Sequence, residues 1–440
     1  MRRPSGRFRP AVALAGLALI LNGCATSGAI VKARGDFRAG QPDVALQTLA
    51  SGKVAERDRL VALMEGGFIA HASGRIEDSI RQLGQAARLV DELDAVFVGE
   101  QGASLLINDR ATRYRGEYAE RLWIRTVQML NHLMLGDWQG ASVEARQAIE
   151  VFDRHGDALQ ADVFTRTLLA RVLDAVGEPD SAAIEYARAF EQSGGQLGVA
   201  AFARTAARRA GRPDDVARYD KALERDAEGI ARGVRTTAGQ GTLLLVMSTG
   251  QVAQKRAGNL FLAPDLRISF PYYPNFPDSG FSDEGRIRLL LDGEALPVDP
   301  VVTRLSRVAE ASLSARARQV ATRQTLRVVT KQGLGAAAAK EDPALGLLVD
   351  AVFFLLEEAD TRSWQTLPGR WSLIEHAMPA GNHRLEVRAG RDGRVVLDDL
   401  RIDAGATSVV VLTDGPQGLV RIKPRAAPVN GPPTPPPVPP

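Results

Sequence analysis

Gly177-Glu178-Pro179-Asp180 and Gly211-Arg212-Pro213-Asp214 are one four-residue word, Gly-x-Pro-Asp, written twice at a distance of 34 residues, and Gly40-Gln41-Pro42-Asp43 is a third copy. Each word closes one helical pattern and opens another. Glycine takes the left-handed position that ends a helix, and proline in the first turn of the next helix loses no needed hydrogen bond. A small or apolar residue stands five positions after each turn glycine (Ala45, Ser79, Ala141, Ala182, Val216), which lets two antiparallel helices pack closely.

Turns at Gly40, Gly74, Gly136, Gly177 and Gly211 are spaced 34, 62, 41 and 34 residues apart. They predict five helical hairpins between about Gly28 and Asp226, with an irregular insert around Val96 to Gly116 in the long second interval. A 34-residue period of this kind resembles the tetratricopeptide repeat. Such a solenoid buries its core only between neighbours and leaves a concave face, which usually binds peptide or protein.

Upstream of the repeats, Met1 to Pro10 carries Arg2, Arg3, Arg7 and Arg9 and no acid, and an apolar stretch runs from Ala11 to Leu21. A basic region followed by a short apolar core reads as a secretory signal. The apolar stretch spans about 16 Å as a helix, far short of a bilayer core of about 30 Å, so it is an address and not a membrane span. Leu21-Asn22-Gly23-Cys24 resembles the lipobox of bacterial lipoproteins, which implies that Cys24 is acylated and becomes the first mature residue. Cys24 is the sole cysteine, so neither an intrachain disulfide nor a thiol-based metal cluster is available. Ala25 and Thr26 follow it, and the lack of an aspartate there implies the outer membrane within the lipobox resemblance. The formal charge of +3 includes the four signal arginines, so the mature chain stands at −1. Nothing in that balance asks for nucleic acid.

Downstream of Asp226 the pattern changes. Residues 229–240 are rich in glycine, arginine and threonine and read as a linker. Thr242 to Thr249 is a nearly continuous apolar run without helical period, hence a buried strand. Further strands are expected at Arg267 to Tyr273, Arg286 to Leu291, Trp371 to Met378, Arg384 to Val387, Arg394 to Ile402 and Ser408 to Thr413. Turn residues separate them, which predicts an antiparallel β-sandwich. A helical insertion is expected over about 301–358. Its first half carries Arg304, Arg307, Arg316, Arg318, Arg323, Arg327 and Lys331 against Glu310 alone. This basic stretch reads either as a solvated face of a packed hairpin or as a docking surface for lipid headgroups or an acidic partner, with Arg316, Arg318, Arg323 and Arg327 as its candidate residues. The proline-rich end, 424–440, reads as an extended spacer.

Gly116-Glu117-Tyr118-Ala119-Glu120, Leu130-Asn131-His132-Leu133, Leu135-Gly136-Asp137 and Val143-Glu144-Ala145-Arg146 make one signature. Asp360-Thr361-Arg362-Ser363-Trp364-Gln365-Thr366-Leu367-Pro368 and Pro379-Ala380-Gly381 make a second. In this order they resemble an uncharacterised bacterial family of tetratricopeptide-repeat-containing outer-membrane lipoproteins. The resemblance implies location and architecture and says little about activity. Arg362 and Trp364 are candidate binding residues; alternatively Arg362 pairs internally with Asp360 or a neighbour, and Trp364 pins the insertion to the sandwich.

No catalytic pattern emerges. There is no Gly-x-Ser-x-Gly elbow and no phosphate-binding loop. His71, His132, His155, His376 and His383 show no metal spacing. His383 shares strand parity with Leu385 and Val387 and is expected at the edge of the core face.

The expected organisation is α+β and multidomain. A signal peptide (1–23) precedes a tetratricopeptide-like α-solenoid (24–228), a linker (229–240) and an antiparallel β-sandwich-like domain (241–423) with its helical insertion, and the tail closes the chain. The repeats and the β region are expected to fold separately. The expected function is that of a non-enzymatic scaffold or adaptor lipoprotein with no cofactor and no metal. It is anchored at the outer membrane facing the periplasm and holds a protein partner in cell-envelope biogenesis through its helical repeats. The alternative is a cell-wall or glycan-binding lipoprotein acting through the β domain.

Overall fold

The computed structural model describes residues 26–99, 113–226, 229–230, 238–263, 266–274, 287–315, 359–389, 393–415 and 418–425. Cys24, the docking candidates Arg316, Arg318, Arg323 and Arg327, and most of the expected linker, insertion and tail lie outside these residues.

Ten helices form five antiparallel hairpins: α1 (Gly28–Arg38) with α2 (Pro42–Ser51), α3 (Arg59–Ala72) with α4 (Ile76–Gly99), α5 (Tyr118–Met134) with α6 (Trp138–Leu159), α7 (Val163–Ala175) with α8 (Pro179–Gln192), and α9 (Leu197–Arg209) with α10 (Pro213–Leu223). The five turns are those of the sequence pattern. Gly40, Gly74, Gly136, Gly177 and Gly211 all have positive φ, from 64° at Gly211 to 86° at Gly177, and Pro42, Pro179 and Pro213 open their helices. Ala45, Ser79, Ala141 and Ala182 are fully buried at the helix contacts.

Among the described residues the β region has three sheets. A five-stranded one runs β11 (Gly418–Arg421), β10 (Thr407–Gly415), β1 (Gln240–Thr249), β7 (Arg370–Pro379), β6 (Val301–Arg304). A four-stranded one runs β5 (Glu294–Leu296), β4 (Arg288–Leu291), β8 (Gly381–Ala389), β9 (Gly393–Ile402), and β2 (Arg256–Ala263) pairs with β3 (Leu266–Tyr272) as a ribbon. Alternate residues of the large sheet serve two cores. Leu243, Leu245, Met247, Ile374, Val410 and Leu412 face the four-stranded sheet and pack with Leu385, Val387 and Leu400. Leu244, Val246, Trp371, Leu373 and Val411 face the other way, into one cluster with Trp123, Phe164 and Leu168 of the helices. The continuous apolar run of β1 follows from this: a strand covered on both faces has no polar side to alternate with.

Two features differ from the sequence expectation. The large sheet is mixed, because β1 and β10 run parallel, Thr242 opposite Thr407 through Ser248 opposite Thr413. Short turns reverse the chain three times between β7 and β10, and β7 is antiparallel to β1, so β10 returns in the direction of β1. Second, the expected helical insertion begins with strand β6. Val301 and Thr303 turn inward, the segment pairs with Arg370–Leu373, and helix follows over 305–315, the last described residues before 359. A Val-Val-Thr run suits a pleated surface better than a helix. The register shift between β8 and β9 falls on β9, where Leu397 and Leu400 are three residues apart against two on β8, so His383 keeps the parity of Leu385 and sits half-buried at the edge of the core face, as expected. It pairs with Asp292 at 2.9 Å and with the Pro379 carbonyl at 2.8 Å. The first cluster runs through the repeats and the large sheet alike, so residues 229–240 separate the two regions in sequence while their cores are joined.

Candidate partner-binding face

The first helices of the hairpins carry the polar groups that meet the rest of the chain. On α3, Glu65 is fully buried. One of its oxygens accepts from Arg34 Nε of α1 at 2.6 Å and from the Gln365 amide at 2.9 Å, and the other accepts from the Thr366 amide at 3.0 Å. Arg34 then donates through Nη2 to the Ser363 carbonyl at 2.6 Å. Glu117 and Glu120 close α5 with a reciprocal capping box. The same Glu120 carboxylate accepts the Trp364 amide at 2.7 Å and the Tyr114 hydroxyl at 2.6 Å. Burial pushes the Glu120 carboxyl above the usual range, with the nearby Lys255 ammonium opposing it. Lys255, 4% exposed, donates to Glu117 at 2.7 Å. Burial works against its charge, and the carboxylates of Glu117, Asp360 and Glu120 together outweigh that and hold its pKa up.

Residues 359–367 therefore lie along α1, α3 and α5 as an extended strap. Trp364 is 2% exposed and stands edge-on to Phe68 of α3, with ring centroids 6.4 Å apart. Arg362 is 4% exposed. It bonds Asp360 at 2.8 Å and Asp58 at 3.3 Å, and lies over the Tyr114 ring. Both candidate binding residues thus point into the molecule, and Arg362 has the internal pairing with Asp360 that the sequence left open.

Farther along, the sheet itself covers the first helices. Asp162 caps α7 by accepting from the Thr165 amide at 3.0 Å, and also receives the Trp123 indole at 3.0 Å. Thr303 of β6 accepts the Phe164 amide at 2.9 Å. Arg171 of α7 reaches Glu375 of β7 at 2.9 Å and Thr407 of β10 at 3.0 Å. Burial disfavours the Arg171 charge, but Glu375 together with Tyr186 and Asp174 more than offsets it and raises the pKa. On α9, the Gly198 amide donates to Asp299 at 2.8 Å. Breaking one member of such a buried pair is strongly destabilising, because it strands the other charge.

Among the described residues the second helices are less covered, although Arg425 reaches Asp43 of α2 at 3.4 Å. Val143 on α6 and Ile184 on α8 are 56% and 44% exposed, each seven residues past its turn glycine. Among the described residues no group of histidine, cysteine and acidic side chains is arranged to hold a metal, and no helix is long and apolar enough to cross a membrane.

Sequence reasoning found Arg362 and Trp364 but not Glu65, Arg34, Asp58 or Lys255. Glu117 and Glu120 belong to one signature quoted above and Trp364 to the other. The structure brings the two together across 244 residues of chain.

No protein-family model matches the chain, and no curated protein sequence matches it. Among solved structures, the chain is similar to MamA at 16% identity over 46% of this chain and 91% of that one, with a TM-score of 0.32. It is also similar to YrrB, described as a TPR protein with an unusual peptide-binding site, at 13% identity over 49% of this chain and 95% of that one, with a TM-score of 0.34.

Proposed function

We propose that this protein is a non-enzymatic scaffold lipoprotein, anchored through Cys24 at the outer membrane and facing the periplasm. It holds a partner protein of the cell envelope through its helical repeats. One observation carries the binding part of this reading: buried carboxylates on two first helices, Glu65 and Glu120, grip three successive main-chain amides of an extended segment. Recognition through main-chain groups is how a scaffold holds a chain with modest demands on its sequence. The signal region and the Leu21-Asn22-Gly23-Cys24 lipobox support the anchoring part. Acyl chains add about 0.8 kcal/mol per buried methylene, so several hold a protein stably.

Two measurements test the parts separately. Wild type should fractionate with membranes and Cys24→Ala with the soluble periplasm; unchanged partitioning refutes the anchor. Cross-linking in intact cells should yield one dominant heteromeric product in stoichiometric amount. Absence of any such product, together with binding of purified wall polymer by the chain, would replace the scaffold reading with the glycan-binding one.

A further inference from the structure

The strap occupies the first-helix face as a bound peptide would, and its fit is good in the main chain and poor in part of its side chains. Four consecutive residues, Ser363 to Thr366, are held through backbone groups by Arg34, Glu120 and Glu65. Trp364 supplies the one large buried side chain among them. By contrast Ser363 Oγ, Trp364 Nε1 and Thr366 Oγ1 are buried and meet no hydrogen-bond partner among the described residues. Each such group gives up its water without compensation, which weakens the hold of the segment that carries it. The strap is anchored at its end by the Leu367 carbonyl, which accepts from Val252, and by Trp371 in the core beyond.

We propose that the face formed by α1, α3 and α5 is a peptide-binding site occupied in cis by residues 360–366. Its ligand in trans is an extended segment with a tryptophan at the Trp364 position and apolar residues at the Ser363 and Thr366 positions. This rests on the scaffold reading and names its ligand class. An apolar residue in place of either hydroxyl removes a stranded polar group and keeps every main-chain bond. The incoming segment then competes on better terms than the strap, and Leu367 marks where the strap would swing away.

The probe is a fluorescent nine-residue peptide with the sequence of residues 360–368, and a second peptide with valine at the two hydroxyl positions. The host is the full mature chain as Cys24→Ala, alone and with Trp364→Ala. The host carrying Trp364→Ala should bind the first peptide at least tenfold tighter than the host that keeps Trp364. The valine peptide should bind tighter again, by about fivefold for each hydroxyl removed. Glu120→Gln added to the Trp364→Ala host should weaken both peptides. Failure of a folded Trp364→Ala host to bind either peptide overturns the proposal. If that host does not fold alone, refolding it with the peptide gives the same decision: a restored cooperative melt supports the site, and continued failure to fold overturns it. A cross-linked partner in cells with no peptide binding would end this inference and leave the scaffold standing. Peptide binding with no partner would do the reverse.

Discussion

Helices α7 and α8 form one hairpin, yet they live in different surroundings. Every residue from Val163 to Asp174 of α7 is buried, whereas α8 buries a single stripe of Ala182, Ala183, Glu185, Tyr186, Ala189 and Phe190. A helix packed on one side shows one apolar stripe, and a helix buried all round needs cover on both sides. The neighbouring hairpins cover one side of the first helices. The large sheet and the strap cover the other, through polar pairs such as Arg171 with Glu375 as well as through Trp371 and Leu373. The difference teaches that the first-helix face of this solenoid is an internal interface, and that among the described residues the second-helix face is the more open one.

That contrast is easiest to break at Trp371. This side chain is fully buried, edge-on to Trp123 at 6.2 Å and stacked on Phe164 at 5.4 Å, so it joins the sheet to two first helices. Trp371→Ala should cost about 3–5 kcal/mol, read from denaturant unfolding. A loss below about 1 kcal/mol would mean that sheet and helices do not share a core.

A histidine of the first-helix layer sharpens the comparison through pH. His71 of α3 is buried and bonds Asn131 of α5 at 2.7 Å, and burial holds its pKa down to about 4, with the Asn131 bond opposing. The folded value lies below the unfolded value of 6.5, so its contribution is full above pH 6.5 and is lost as pH falls toward 4. The loss should approach about 3 kcal/mol. His71→Gln should flatten that part of the stability profile between pH 6.5 and 4. Parallel profiles for both proteins would place His71 in contact with water.

The turns offer a finer contrast. Gly74 and Gly177 both have positive φ, 77° and 86°, where a side chain is strained. Nothing lies near the position of a Cβ on Gly177, while at Gly74 the Lys423 carbonyl oxygen would stand 2.1 Å from it. There the C-terminal segment crosses the turn, and the Arg425 amide donates to the Gly74 carbonyl at 2.7 Å. Gly177→Ala should therefore cost about 1 kcal/mol and Gly74→Ala about 2 kcal/mol, seen as unequal drops in thermal midpoint. Equal drops would detach the C-terminal segment from the turn. Smallest of all, Ile184→Ala on the open face should change stability by no more than about 0.5 kcal/mol.

The hairpins were legible because their signal is local. A glycine with positive φ and a proline at the next helix start act within four residues, and the sequence carries that word at three of the five turns. Most strands were legible for the same reason, since turn pairs such as Asp292-Gly293 and Ala404-Gly405 bound them. Strands β2, β5, β6 and β11 were missed, three of them only three or four residues long. What covers the first helices was not legible, because it depends on contacts between distant segments. Glu65 sits among apolar neighbours on α3, and its reason for being there is an amide 300 residues away. The two signatures quoted from the sequence carried no sign that they touch. Val301 to Arg304 was read with the helix that follows it, because four residues are too few to show a strand period beside a longer helical one.

The most direct measurement is amide hydrogen exchange at Trp364, Gln365 and Thr366 in the native chain. These amides donate to Glu120 and Glu65 inside the molecule, so they should exchange slowly, within the protection range of α3 and α5 and far below the rate of an open loop. Exchange of all three at loop rates, with α3 and α5 still protected, would contradict the account by showing that the first-helix face is not held by the strap.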